Sequence, residues 1–242
     1  MRLQSMTNPE TISQTTGATV LSVAPVDQKG QEFAVTFDGS APLRLTVAVV
    51  VEFGIRPGRV FQAGDLDALR HADVRQRATE AAVRYLGMRP RSTHEIRDYL
   101  HRKGYSPETV ETAVGGLTER GYLDDLAFAR WWAENRAQFQ PRGPYLIRQE
   151  LRRKGVTSAT IDETLAEQAE TVDTDAQALA LARTKLRSFH KNSLEPDVIT
   201  RRLSGLLARR GYGYDIVRTV LKTLRDNGEL DAASTIDVPD DE

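Results

Sequence analysis

The sequence predicts a mainly α-helical protein: three tandem three-helix, helix-turn-helix-like repeats forming an elongated, curved array, with a small N-terminal cap that contains a β-hairpin. Three observations predict it. A glycine stands behind a basic pair three times, at Arg102-Lys103-Gly104, Arg153-Lys154-Gly155 and Arg209-Arg210-Gly211. Around each glycine one apolar lattice recurs: Ile96, Ile147 or Leu203, then Leu100, Leu151 or Leu207 before it; Val110, Ile161 or Val217, then Val114, Leu165 or Leu221 after it. Residues 18–70 follow another rhythm, rich in Val, Thr and Phe in partial alternation.

Residues 1–17 are polar, lack the apolar core of a signal peptide, and read as a flexible tail. In the cap, residues 18–70, Ala18 to Ala24 and Glu32 to Phe37 form a hairpin about Asp27-Gln28-Lys29-Gly30, and Leu43 to Leu45 can add a short strand. Asp38-Gly39 and Arg56-Pro57-Gly58 are turns. Thr46 to Phe53 is apolar on nearly every side and suits a short buried helix or strand; the reading favours a helix. Asp65 to Leu69 resembles the start of a helix leading into the repeats.

In the first repeat, residues 71–124, a helix from Asp73 to Leu86 carries Val74, Ala78, Ala81 and Tyr85 and stops at Gly87, with Pro90 beyond. Ser92-Thr93-His94-Glu95 is a capping box, and Ser106-Pro107-Glu108 restarts a helix with a cap, a first-position proline and an acid. In the second repeat, 125–172, Asp124 or Asp125 caps a helix with Phe128, Trp132 and Phe139 on its core lattice; it closes before Pro141 and Gly143-Pro144, and Thr157 is the later cap. In the third, 173–228, Asp175 precedes Leu179, Ala182, Leu186 and Phe189, then comes a loop from Lys191 to Pro196, and Gly213 takes the last cap position. The glycine of each corner suits a left-handed helix terminus, and cations before it meet the negative end of the helix dipole. A lone repeat buries too little to be comfortable, so packing against its neighbour should supply part of its stability. Residues 229–242 hold six acids and no base and read as an acidic flexible tail.

With 242 residues, no cysteine and a net charge of −1, the chain has no disulfide or thiolate zinc site, and no apolar run approaches a membrane span. A soluble, cytoplasmic protein is expected. Enzyme signatures are missing: Gly115-Gly116 lies in a helical pattern without a following Lys-Ser/Thr, and His71, His94, His101 and His190 make no metal-ligand spacing. Asp124-Asp125 is explained by helix capping before any carboxylate chemistry. Neither catalysis, cofactor nor metal is expected. Phe128, Trp131, Trp132 and Phe139 suit core packing more than base stacking, and one of the adjacent tryptophans should sit at an interface, between repeats or with a partner. Charge is uneven: Thr171 to Gly228 holds eleven bases against six acids, and Arg142 to Lys154 five bases against Glu150 alone. Any one basic residue can equally be a helix-surface residue that terminates its helix well.

Arg91-Ser92 with Glu95-Ile96, Leu100, Lys103-Gly104, the run Gly121-Tyr122-Leu123-Asp124-Asp125 with Phe128-Ala129, and later Gly143, Ile147, Glu150-Leu151 and Lys154-Gly155-Val156 together resemble the RecX family of bacterial recombination regulators. Phe37-Asp38-Gly39 and Gly54-Ile55-Arg56-Pro57-Gly58 resemble that family's leader; the likeness spans Ala18 to Leu224, with the third repeat departing most. The resemblance implies a monomeric, non-enzymatic modulator that binds the RecA filament on DNA, in its groove, and restrains ATP hydrolysis and strand exchange in recombination, DNA repair and the SOS response. DNA alone, single- or double-stranded, would be a weak partner. The candidate docking residues are the outward bases of the second helices and their corners: Arg97, Arg102, Lys103, Arg148, Arg152, Arg153, Lys154, Arg201, Arg202, Arg209 and Arg210, with Arg142 in the loop before. Tyr122 and one tryptophan are expected to order the interface between repeats. The acidic tail can compete with DNA for the basic third repeat. The rival reading is a regulator that binds DNA directly through its helix-turn-helix-like units.

Overall fold

The computed structural model describes residues 17–192 and 194–231; the expected N-terminal tail up to residue 16 and the acidic tail from residue 232 lie outside them. Two compact units form, one from residues 17–84 and 100–116, the other from 85–99 and 117–231 of this range.

In the first unit, β1 (Ala18–Pro25), β2 (Glu32–Phe37) and β3 (Leu43–Thr46) make an antiparallel meander, and β4 (Val60–Phe61) pairs on the far side of β1, giving the order β3-β2-β1-β4. Asp27 sets the hairpin by accepting the backbone N–H groups of Gln31 and Glu32 at 2.9 and 3.2 Å. A register shift between Val20 and Ser22 leaves Leu21 exposed, while Val20, Val35, Phe37, Leu45 and Phe61 turn to one core, where Phe37 and Phe61 meet edge to face at 6.1 Å. The valine-rich stretch is the expected helix, α1 (Val47–Glu52), and it buries Val49. α2 (Ala63–Leu86) is one continuous helix of 24 residues, so the helix start read at Asp65 and the helix read from Asp73 are a single element. Leu69 and Ala72 close the core from α2, and Val74, assigned to the buried lattice, is exposed at 41%. Asp73 is buried among them because it is fully employed: it accepts the Thr46 N–H at 2.7 Å and the Arg77 Nε–H at 2.6 Å. Arg77 also pairs with Glu32; burial opposes its charge, and the two carboxylates outweigh that and raise its pKa.

The capping chemistry of the repeats follows the sequence. α3 (Thr93–Arg102) opens with the reciprocal box, Glu95 N–H to Ser92 Oγ at 3.2 Å and Ser92 N–H to Glu95 Oε2 at 3.3 Å. α4 (Pro107–Glu119) is capped by Ser106, which accepts the Thr109 N–H at 3.3 Å. Asp124 caps α5 (Asp125–Phe139) through the N–H groups of Leu126 and Ala127, while Asp125 accepts the Thr93 N–H at 2.8 Å, so the two aspartates serve two helices. α6 (Pro144–Arg153) follows Gly143, and α7 (Ser158–Thr171) is capped by Thr157. α8 (Thr174–Lys191) is capped by Asp173, whose side chain accepts the Ala176 N–H at 2.9 Å, and Asp175 lies in its first turn. α9 (Pro196–Arg209) and α10 (Tyr214–Asp226) complete the third repeat.

In the second unit, α5, α6 and α7 enclose Phe128, Ala129, Ala133, Ile147, Leu151, Val156 and Ile161, and α8, α9 and α10 enclose Ala182, Leu186, Ile199, Leu203, Leu207, Val220 and Leu224. Burial of each Phe, Leu, Ile or Val side chain among them contributes about 1.5–3 kcal/mol. Two expectations are corrected. Phe139 ends α5 beyond that core and is exposed at 67%, because the helix runs past the surface it packs on. Glu229 and Leu230 belong to the third repeat: Leu230 is buried in its core, and Glu229 receives Arg183 at 2.6 Å. Among the described residues no helix is long and apolar enough to cross a membrane.

Candidate partner-binding surface

Each corner is built alike. Gly155 and Gly211 take φ of 75° and 85°, their N–H groups bond the carbonyls of Arg152 and Ala208, and the next residue reaches back to Leu151 or Leu207 at 3.1 Å. Space excludes other residues as firmly as the dihedral does. A Cβ on Gly155 would stand 2.3 Å from the His94 Cβ, and one on Gly211 would stand 2.4 Å from the Leu146 Cβ. The second corner therefore sits against the start of α3, and the third against the start of α6. At a helix end the last carbonyls lack intrahelical partners, and here the neighbouring repeat supplies them. Ser92 Oγ–H donates to the Lys154 carbonyl at 2.6 Å, and Gly143 N–H to the Arg210 carbonyl at 2.8 Å.

These joints claim several of the candidate cations. Lys154 Nζ pairs with Glu95 at 2.9 Å and lies 4.2 Å from the Trp132 ring centroid, so this half-buried candidate takes part in the joint. Burial opposes ionisation of Glu95, but its bonds from Arg89 and Lys154 prevail and hold its pKa at about 2. Arg142 pairs with buried Glu150, which also accepts Trp132 Nε1–H and Arg136 Nε–H, both at 2.8 Å. Arg148 pairs with Asp162. Trp131 and Trp132 are both half-buried; Trp132 lies against the joint residue Lys154, and Tyr122 is exposed.

What remains outward is a shorter set. Arg102, Lys103, Arg152, Arg153, Arg201, Arg202 and Arg209 are exposed, and Arg97 and Arg210 are half-buried. Arg201, Arg202 and Arg209 come together beside Lys185 and Phe189, with Arg202 5.8 Å from the Phe189 centroid. Arg102 and Lys103 belong to the first compact unit and the rest to the second. Three residues of consequence were not singled out from sequence. Glu95 was read as a cap alone, although its carboxylate spans to a lysine 59 residues on. Glu150 was counted as the single acid among five bases, and that imbalance was the signal that it would be shared. Lys185 shares a face with Phe189, four residues later, and that spacing could have placed it. Among the described residues no group of three or more His, Cys, Asp or Glu could hold a metal ion.

The comparisons with known proteins agree with this architecture. Residues 78–125, 124–165 and 173–221 match the domains described as RecX, first, second and third three-helix domain. The regulatory protein RecX of Amycolatopsis mediterranei (strain U-32) is 36% identical over 157 residues, covering 63% of this chain and 86% of that one. The RecX of Geobacillus kaustophilus (strain HTA426) is 29% identical over 209 residues, 84% of this chain and 76% of its own. A crystal structure of regulatory protein RecX superposes with a TM-score of 0.69 at 21% identity, covering 85% of this chain and 99% of that one, which shows the shared fold. Three tandem three-helix domains behind a small strand-bearing cap, matched one by one, make this chain a member of the RecX family of regulatory proteins.

Proposed function

We propose that the chain is a non-enzymatic cytoplasmic regulator of the RecA recombinase, which binds the RecA filament on DNA and restrains its ATPase and strand exchange. The observation that carries the reading is a family fold in which an exposed arginine recurs two residues before each corner glycine, Arg102, Arg153 and Arg209, with Arg152 beside the second. A stack of such repeats can touch several protomers of a polymer at once, and weak contacts multiply when they are linked. Binding of that kind either locks neighbouring protomers or blocks the addition of new ones. The direct helix-turn-helix reading has less support, because α10, in the position of a recognition helix, opens with Tyr214 and Asp215 and offers no Arg, Asn or Gln in its first turn.

RecA ATPase on single-stranded DNA, with and without this chain, tests the reading. The chain should lower turnover, and Arg152→Glu with Arg153→Glu should weaken that inhibition severalfold. Lys154 stays untouched in this variant because its loss would loosen a joint. Unchanged inhibition by the folded double variant removes both arginines from the docking surface; no inhibition by the parent chain removes the function.

A further inference from the structure

The third repeat carries cations that no carboxylate answers. Among the described residues, neither Lys185, Arg201, Arg202 nor Arg209 has an ion-pair partner. They are also not scattered. A groove of about 400 Å³ between α8 and α9 is walled by these four side chains and Phe189, with Gly205 and Leu206 as its floor. A second groove of about 580 Å³ begins at the same Arg209 and runs past Arg210, Arg142 and Phe139. No carboxylate lines either groove.

Crowding like charges at a concave surface raises the local potential and favours an anion there. The strain is visible at Arg142, whose guanidinium pKa is pushed down by burial first and then by Arg136 and Arg210. Glu150, which Arg142 pairs with, is already shared with Arg136 and Trp132, so it leaves the second groove cationic. Two further features tell a polyanion from a free phosphate. The cations continue through both grooves, so they suit an anion that repeats along a chain. Phe139 stands 67% exposed in the second groove, among Arg142, Arg209 and Arg210, so its ring face is open to stacking by a planar group beside those cations. Gly205 contributes as well: a Cβ there would lie 3.1 Å from Arg209 Nη1, so the bare backbone lets that guanidinium rest along α9 at the meeting point of the grooves.

We propose that the two grooves form one track for single-stranded DNA, with backbone phosphates on Lys185, Arg201, Arg202 and Arg209 and a base stacked on Phe139. The choice of DNA as the strand rests on the proposed function; the track itself rests on the grooves. Phosphate contacts with stacking and no base-edge readout make binding tolerant of sequence.

Anisotropy of a labelled oligothymidylate, titrated with the full chain across a salt series and without RecA, tests the track. Replacing Arg201 and Arg209 by glutamate should weaken binding by roughly tenfold or more and reduce the log-log salt slope by about 1.4, at about 0.7 per phosphate contact on a single strand. Phe139→Ala should weaken binding by about fivefold or more and leave the slope alone. Gly205→Ala should raise the unfolding midpoint, since a mid-helix glycine costs about 0.5–1 kcal/mol against alanine, while weakening the oligonucleotide; a gain in stability with unchanged affinity removes Gly205 from the track. A folded double arginine variant with unchanged affinity and slope overturns the proposal, as does parent chain that holds a duplex of the same length as tightly as the strand. RecA ATPase run in parallel separates the two claims. Strand binding with this signature but no inhibition of RecA ends the proposed function and keeps the track; inhibition by a chain whose strand binding ignores both arginines does the reverse.

Discussion

The second and third corners are written with one template and use their cations differently. At the second, the side chain of the residue before the glycine makes the joint: Lys154 pairs with Glu95 and lies against Trp132. At the third, backbone makes it: Gly143 N–H meets the Arg210 carbonyl, and a Cβ on Gly143 would fall 2.2 Å from the Gly211 oxygen. Both joints need a bare glycine, and the second corner adds a charged side chain to it. A recurring basic pair therefore identifies a helix terminus in every repeat, but one of its cations can be taken up by the joint, as Lys154 is while Arg153 stays exposed.

The sharpest test of the third joint is to add one carbon there and one at the first corner, where nothing presses on the glycine, and follow urea denaturation. Gly211→Ala should cost about 3–5 kcal/mol, because a left-handed alanine is strained by about 1–2 kcal/mol and the new carbon meets Leu146 backbone that cannot turn away. Gly104→Ala should cost the strain alone, about 1–2 kcal/mol, since nothing lies within 4 Å of its Cβ position. Equal costs at the two corners would show that the third joint is not as tight as its geometry.

A smaller effect sharpens the charged joint. Glu95 has a folded pKa near 2, below its ordinary 4.5, so its contribution is complete above about 4.5 and fades as pH falls toward 2. Glu95→Gln should flatten the stability profile between these limits and lower the unfolding free energy at neutral pH by about 1–2 kcal/mol. A variant with the parent's acid profile would place the titration elsewhere.

The smallest effect concerns Tyr212, beside the third corner. It is 4% exposed, its hydroxyl has no hydrogen-bond partner, and burial pushes its pKa up. Tyr212→Phe should be neutral or stabilising by up to about 1 kcal/mol; a loss of stability would mean the hydroxyl is engaged.

The sequence made the lattice legible for a local reason. Ile96, Leu100, Ile147, Leu151, Leu203 and Leu207 are 1% exposed or less, and their spacing on one helix stripe needs no knowledge of what covers them. The caps at Ser92, Ser106, Asp124 and Thr157 are local in the same sense. Periodicity names a face, however, and not its neighbour. It could not say that Lys154 would turn to Glu95, that Gly143 would be pressed against Gly211, or that α5 would outrun its core and present Phe139 to solvent. For the same reason the twelve candidate cations form one class in sequence, whereas in space Lys154 belongs to a joint and Arg142 and Arg148 are held by Glu150 and Asp162.

Asp73 fixes where the protein can be divided. Its carboxylate holds the end of β3 through the Thr46 N–H and anchors Arg77, which reaches Glu32 on β2. Sheet and α2 are thus joined within one compact unit, and no linker parts them. A fragment begun at residue 71 would lose the first turns of that helix and uncover Asp73 without its Thr46 donor, so the cap and the opening helix should be inherited, expressed and melted as one piece.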